Sequence, residues 1–229
     1  FWDPRRKLFV SNLPWAKEEG KTRLCDRSLA MSVLFEQCPG GRIDESVAVL
    51  ADAPAEMGFS YPANAVWRLW ALGRGRRADV ITRELRQRWA TLDSVRLNNT
   101  LSEHWKVAPD SRSEWSHAPM GPVLAVLNEL LGVRPLEAGF ARYEVRPQLA
   151  DLPPFAVRVH TPKGPLRFLT EGDPGARRVT LVTPAGCTGE LALPTRERVS
   201  LPKLPSKPGD RGLVRYALPA GESVLLSLS

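Results

Sequence analysis

Gly132-Val133-Arg134-Pro135-Leu136-Glu137-Ala138-Gly139-Phe140 marks the point where this 229-residue chain changes period. On its N-terminal side apolar residues recur at helical spacing; on its C-terminal side they alternate. A 3.6-residue repeat and a 2-residue repeat describe different elements. The sequence therefore predicts an α plus β protein of two domains, a helical one over 1–133 and a strand-built one over 134–229.

Working back from Gly132, Val123, Val126, Leu127, Leu130 and Leu131 share one helical face. Ile81, Leu85, Trp89 and Leu92 form another stripe, with Asp79 in the first turn, where a carboxylate favours the helix dipole. Val66, Leu69, Trp70 and Gly73 follow the same rule, and Gly73-Arg74-Gly75 stops that helix. Ile43, Val47, Leu50 and Ala51 make a fourth helix, and Ser28 to Gln37 a fifth, carrying Ala30, Val33 and Leu34. Cys38-Pro39-Gly40-Gly41 ends the last of these by removing a backbone donor and permitting positive φ. Five short helices with tight connections and no repeat signature leave a bundle or a helical toroid.

Working forward, Phe155, Val157 and Val159 alternate with Ala156, Arg158 and His160, the pattern of a half-buried strand. Thr161-Pro162-Lys163-Gly164-Pro165 reads as a turn, and Leu166 and Phe168 begin the return. Val179 to Thr183, Gly189 to Leu193, Leu213 to Leu218 and Ser223 to Leu228 continue the series, separated by Pro- and Gly-rich breaks. Such spacing predicts a small antiparallel β-sandwich. Leu201 to Gly212, with three prolines, reads as a loose loop.

Composition narrows the function. Hydrophobic residues make up 43% and charged residues 25%, a globular balance. No run approaches the length of a membrane span, so no membrane partner is expected. The chain opens Phe1-Trp2-Asp3-Pro4 without Met or a charged-then-apolar leader, which places the natural start upstream. The net charge of +7 and a pI of 9.7 suggest nucleic acid, but the basic residues are scattered. The tightest clusters, Arg5-Arg6-Lys7 and Arg74 to Arg77, are short and sit in no nucleic-acid motif. Cys25, Cys38 and Cys187 form no disulfide framework, which fits a reducing, cytoplasmic compartment better than secretion, or simply small buried apolar side chains. With three histidines and no ligand spacing, neither a metal site nor a cofactor is expected.

Chemistry concentrates between the Ile81–Leu92 and Val123–Leu131 helices, in Asn98-Asn99-Thr100-Leu101-Ser102-Glu103-His104-Trp105 and Pro109-Asp110-Ser111-Arg112-Ser113-Glu114-Trp115-Ser116-His117. This connection is longer than a usual helix–helix loop, and long ordered loops are often functional. Its amides, hydroxyls, carboxylates and indoles suit a carbohydrate, whose C–H face lies on aromatic rings and whose hydroxyls need polar partners. Glycoside hydrolysis uses two carboxyl groups, and Glu103 and Glu114 are the local candidates. Against that, loop carboxylates are usually solvated or cap helices, and His117 fits equally a helix N-terminal residue held by packing. Glu114 reads as the exposed one. Tyr61, Trp67 and Trp70 read as core or wall residues.

Several stretches together resemble the α-L-rhamnosidase family: Asp26-Arg27-Ser28-Leu29-Ala30, Pro54 to Asn64, Asn98 to Trp105, Trp115-Ser116-His117, and the Gly132–Phe140 run. The last is the most specific, resembling the family's link between its final barrel helix and a C-terminal β-sandwich. The resemblance implies the C-terminal part of an (α/α)₆ barrel followed by that sandwich, in an inverting glycosidase acting on a rhamnose-containing carbohydrate. It implies Glu103 as general base, with Ser102 standing where the family has a Trp. It implies His117 as a contact to the sugar, with Trp105, Asn99 and Thr100 as further binding residues. The family's general acid lies in an acidic motif that this chain lacks, so the N-terminal half of the barrel is the missing partner and the chain alone is expected to be inactive. The alternative is a non-catalytic carbohydrate-binding or scaffold module of a larger polysaccharide-processing protein.

Overall fold

The computed structural model describes residues 2–5, 8–9, 24–108, 111–195, 199–200 and 203–228. Arg6-Lys7, Pro109-Asp110 and the start of the Leu201 stretch, all read above, lie outside the described residues. The chain divides into two compact units, Phe1–Ala125 and Val126–Ser229. No described helix is long and apolar enough to cross a membrane.

The first unit is helical. Strand β1 (Trp2–Asp3) pairs antiparallel with β2 (Leu8–Phe9). Helix α1 (Asp26–Leu34) follows β3 (Leu24–Cys25) and buries Leu29, Ala30 and Val33 completely. It starts at Asp26 rather than Ser28. Helix α2 (Ile43–Asp52) buries Val47, Leu50 and Ala51, and α3 (Val66–Arg74) buries Leu69, Ala71 and Leu72. Helix α1 packs against both. Gly75 caps the end of α3, and a Cβ there would lie 2.3 Å from a Val47 methyl, so glycine admits the close approach of α2. Between α2 and α3, β4 (Met57–Gly58) pairs in parallel with β3, Leu24 opposite Met57.

Helix α4 (Ala78–Glu84) continues as a π-helical turn, Leu85–Trp89, closed by Ala90 N–H donating to Leu85 O at 2.9 Å. The stripe Ile81, Leu85, Trp89, Leu92 did not reveal the extra residue in that turn. The fold also has a helix the sequence reading lacked, α5 (Asp93–Asn98). Its only buried residue is Ser94, so it carries no apolar stripe to detect. Helix α6 (Gly121–Leu124) again runs into a π-helical turn, Ala125–Leu130.

The second unit is built from two five-stranded sheets. One has the order β12 (Ser206–Pro208), β13 (Leu213–Leu218), β10 (Thr188–Pro194), β6 (Arg142–Val145), β5 (Val133–Pro135). The other runs β11 (Val199–Ser200), β14 (Ser223–Leu228), β9 (Arg177–Val182), β8 (Gly164–Glu171), β7 (Ala156–Thr161). Tyr143, Val145, Leu191 and Leu193 from the first share one core with Leu166, Phe168, Val179, Leu181, Val224 and Leu226 from the second. Phe155 stacks on Phe168 with centroids 5.9 Å apart. Exposed Ala156, Arg158 and His160 alternate with half-buried Val157 and Val159, as the period of two requires.

Two features depart from the arrangement the sequence predicts, one in strand direction and one in strand number. Strands β6 and β10 run parallel, Tyr143 opposite Gly189. The stretch read as a loose loop supplies β12, whose Pro208 sits at the sheet border where a missing N–H costs no ladder bond. Gly132 enters β5 with φ of +70°, and a Cβ there would lie 2.0 Å from Arg146 O. Arg146 N–H donates to Gly132 O at 3.0 Å, locking the start of β5 against the end of β6.

Candidate functional site

The site is built on the loop after α5. Asn99 takes a left-handed conformation, φ 54°, that stops the helix. The Thr100 hydroxyl then donates to Glu114 O at 3.0 Å, with Ser94 O 3.3 Å away. Beyond it the loop folds back on itself. Glu103 N–H donates to Ser113 O at 2.9 Å, and Ser116 N–H to Leu101 O at 3.2 Å. These bonds lay Leu101–Glu103 beside Ser113–Ser116, so the segments carrying Glu103 and His117 are neighbours although about fourteen residues apart in sequence.

Glu103 itself is half-buried, and its flanks are fixed. Ser102 is 1% exposed and donates its hydroxyl to His104 O at 2.9 Å. The His104 ring lies 5.2 Å from that of Tyr61. Trp105 Nε1–H donates to Ser60 O at 2.9 Å, and its ring meets Trp89 edge-on at 5.1 Å. Ser60 is itself held from below: its N–H and hydroxyl both donate to Asp26 Oδ1, at 3.0 and 2.7 Å. Asp26 is wholly buried, and its Oδ2 has no hydrogen-bond partner among the described residues. A carboxylate at the base of α1 thus fixes the loop on which Trp105 docks.

A layer of charge and aromatic surface adjoins this. Arg68, 1% exposed, donates through Nε and Nη2 to Glu84 Oε1 at 2.9 and 2.5 Å. The guanidinium of Arg68 lies 5.0 Å from the Phe59 ring. Arg88, on the π-helical turn, lies over two rings, Phe59 at 4.0 Å and Trp105 at 4.2 Å. Burial pushes the Arg88 guanidinium below its usual value; the carboxylates of Glu84 and Asp26 oppose this, and the Arg68 charge adds to it.

The structure therefore draws Glu103 and Trp105 into one neighbourhood with Ser60, Tyr61 and Trp89. His117 is exposed in the turn bridged by Ala118 N–H to Ser116 Oγ at 3.3 Å, which is not a packed helix start. Asn99 is exposed. Two readings are corrected. Glu114 is not a solvated loop carboxylate but 4% exposed, because the folded-back loop closes over it. Of the two positions read for Tyr61, core or wall, the core is excluded, since it is 44% exposed with its ring covering His104. Asp26, Phe59, Ser60, Arg68, Glu84 and Arg88 received no role from the sequence. The available signal was Arg68 in the stripe of Ala65, Leu69 and Leu72, and Glu84 in that of Val80 and Ile81; a charge on each buried face announces a pair. No group of His, Cys, Asp and Glu among the described residues is placed to hold a metal ion.

No protein-family model matches this sequence, and no curated protein does. Solved structures do. The α-L-rhamnosidase of Streptomyces avermitilis complexed with L-rhamnose superposes with a TM-score of 0.69 at 19% identity, over 92% of this chain and 22% of that one. The Aspergillus terreus enzyme gives 0.58 at 18%, over 86% and 24%. The GH78 family rhamnosidase of Bacillus sp. GL1 gives 0.57 at 16%, over 81% and 19%. This chain, spanning only about a fifth to a quarter of those proteins, has the α plus β fold of a section of the α-L-rhamnosidases.

Proposed function

We propose that this chain is the base-bearing portion of an α-L-rhamnosidase, a glycoside hydrolase that removes terminal α-L-rhamnose with inversion. In this reading residues 1–133 complete an (α/α)₆ toroid whose earlier helices lie outside the chain, and 134–229 form the C-terminal β-sandwich. Glu103 takes a proton from water on the face opposite the leaving group. A carboxylic acid from outside this chain protonates the departing oxygen, the two carboxyls standing ~6.5–9.5 Å apart to admit the water. His117, Trp105 and Asn99 contact the sugar. Thr100, whose one proton is directed at backbone carbonyls, acts by shaping the loop.

One observation carries this. Glu103 is held at its backbone by Ser113 and at its flanks by buried Ser102 and docked Trp105, yet its own side chain is only half-buried. A catalytic carboxylate needs that combination: a fixed frame and access to water. Glu103→Gln in the full-length protein should lower hydrolysis of an aryl α-L-rhamnoside by on the order of 10²–10⁴-fold. Near-normal turnover would remove Glu103 from this role. The 229-residue chain alone should not cleave that substrate, and cleavage would overturn the division of the two carboxyls between segments. Trp115, 53% exposed beside His117, favours a second reading, a non-catalytic carbohydrate-binding module. In that case Glu103→Gln leaves saccharide binding intact and no turnover is found to lose.

A further inference from the structure

Of the four borders of the two five-stranded sheets, β7 alone is long enough among the described residues to guide another strand. Strand β11 has two residues, and β5 and β12 have three each with a proline. Strand β7 has six and no proline. Its free side follows from the alternation of an antiparallel ladder. Phe155 O accepts from Thr170 N–H at 2.9 Å, so Phe155, Val157, Val159 and Thr161 turn their backbone groups toward β8. Ala156, Arg158 and His160 turn theirs outward, where no strand pairs with them among the described residues.

The side chains on the two faces define what fits there. Val157 and Val159 pack on the core but are only half-buried, so an added strand with apolar residues on that face would complete their cover. On the outer face Arg158 stands directly opposite Arg167, both exposed. Like charges so placed weaken a sheet. On the first sheet Arg142 pairs with Glu137, Lys207 with Glu190 and Arg215 with Glu144. Arg158 and Arg167 form no ion pair among the described residues. A second copy of β7, lying antiparallel on the first in full overlap, would set Arg158 against Arg158 or His160, one basic side chain against another.

We infer that the β7 border is a docking site for an extended segment of another protein, one in which acidic residues alternate with apolar ones. The segment adds a sixth strand to the sheet. Its backbone pairs with Ala156, Arg158 and His160, its carboxylates offset the charge of Arg158 and Arg167, and its apolar side chains cover Val157 and Val159.

The test uses the whole 229-residue chain and two synthetic ten-residue peptides, one alternating Glu with Val and the other Lys with Val. The Glu peptide should bind at least about tenfold more tightly. At saturation it should slow hydrogen exchange of the Ala156, Arg158 and His160 amides at least about tenfold, a readout that needs no variant. Arg158→Glu with Arg167→Glu, both at exposed positions, should reverse the preference toward the Lys peptide. Equal affinity for the two peptides, binding that leaves those amides unprotected, a preference that survives the double variant, or no binding of either peptide overturns the inference. So does a dimer of the chain that protects the same amides without peptide.

Discussion

Replacing Glu84 with leucine should destabilise the helical unit by about 3–5 kcal/mol. Arg68 is 1% exposed and Glu84 9%, so both groups have given up nearly all contact with water. Arg68 Nε and Nη2 share the single acceptor Oε1, and Nη1 has no hydrogen-bond partner among the described residues. Without Glu84, none of the three nitrogens of this buried cation keeps a hydrogen-bond partner among the described residues. Removing both charges, as Arg68→Met with Glu84→Leu, should recover to within about 1 kcal/mol of the native value, because well-packed apolar groups replace a buried pair at little cost. The assay is urea unfolding followed by indole fluorescence. All seven tryptophans precede residue 116, so the signal reports on Phe1–Ala125 and not on the sheets. A loss below about 1 kcal/mol for Glu84→Leu, or a double variant no more stable than the single, would refute the claim that the pair is desolvated.

Glu129, 4% exposed, is pushed up to about 7 by burial, with Arg134 and Arg146 opposing. Its carboxyl binds a proton more tightly folded than unfolded, so its contribution is complete below about pH 4.5 and is lost as pH rises through 7. The sheet unit should lose on the order of 3 kcal/mol across that window, read by hydrogen exchange of β6 amides, and Glu129→Gln should flatten the slope. Gly132→Ala should cost more than about 1 kcal/mol in the same measurement, from the positive φ and the contact with Arg146 O together. Trp105→Phe keeps the ring over Arg88 but loses the bond to Ser60; it should cost about 1 kcal/mol in urea unfolding and lower rhamnoside turnover more than its stability loss explains.

The parts of this molecule legible in the sequence are those where one face is buried and the other wet. Phe155, Val157 and Val159 declared β7, and Val47, Leu50 and Ala51 declared α2, because period alone selects the buried side. The π-helical turn at Leu85–Trp89 was illegible, since Trp89 is compatible with the apolar stripe with or without the inserted residue. Helix α5 buries only Ser94 and presented no pattern at all. For the site, residue type pointed to Glu103 and Trp105, but their supports are long-range. Asp26 reaches Ser60 across 34 positions and Trp105 reaches Ser60 across 45, and no local pattern encodes such partners. Burial of Glu114 was misjudged for the same reason: a polar loop looks solvated until its two halves are seen to pair.

Both borders of the first sheet end in short strands that contain proline, Pro135 in β5 and Pro208 in β12, with Lys207 beside the latter. An incoming strand from another molecule meets an interrupted row of donors on either side, and at β12 an ammonium as well. The sheet is thereby closed to intermolecular extension. These two imino acids make the borders of this sheet poor templates for an added strand, a safeguard that the β7 edge of the other sheet does not share.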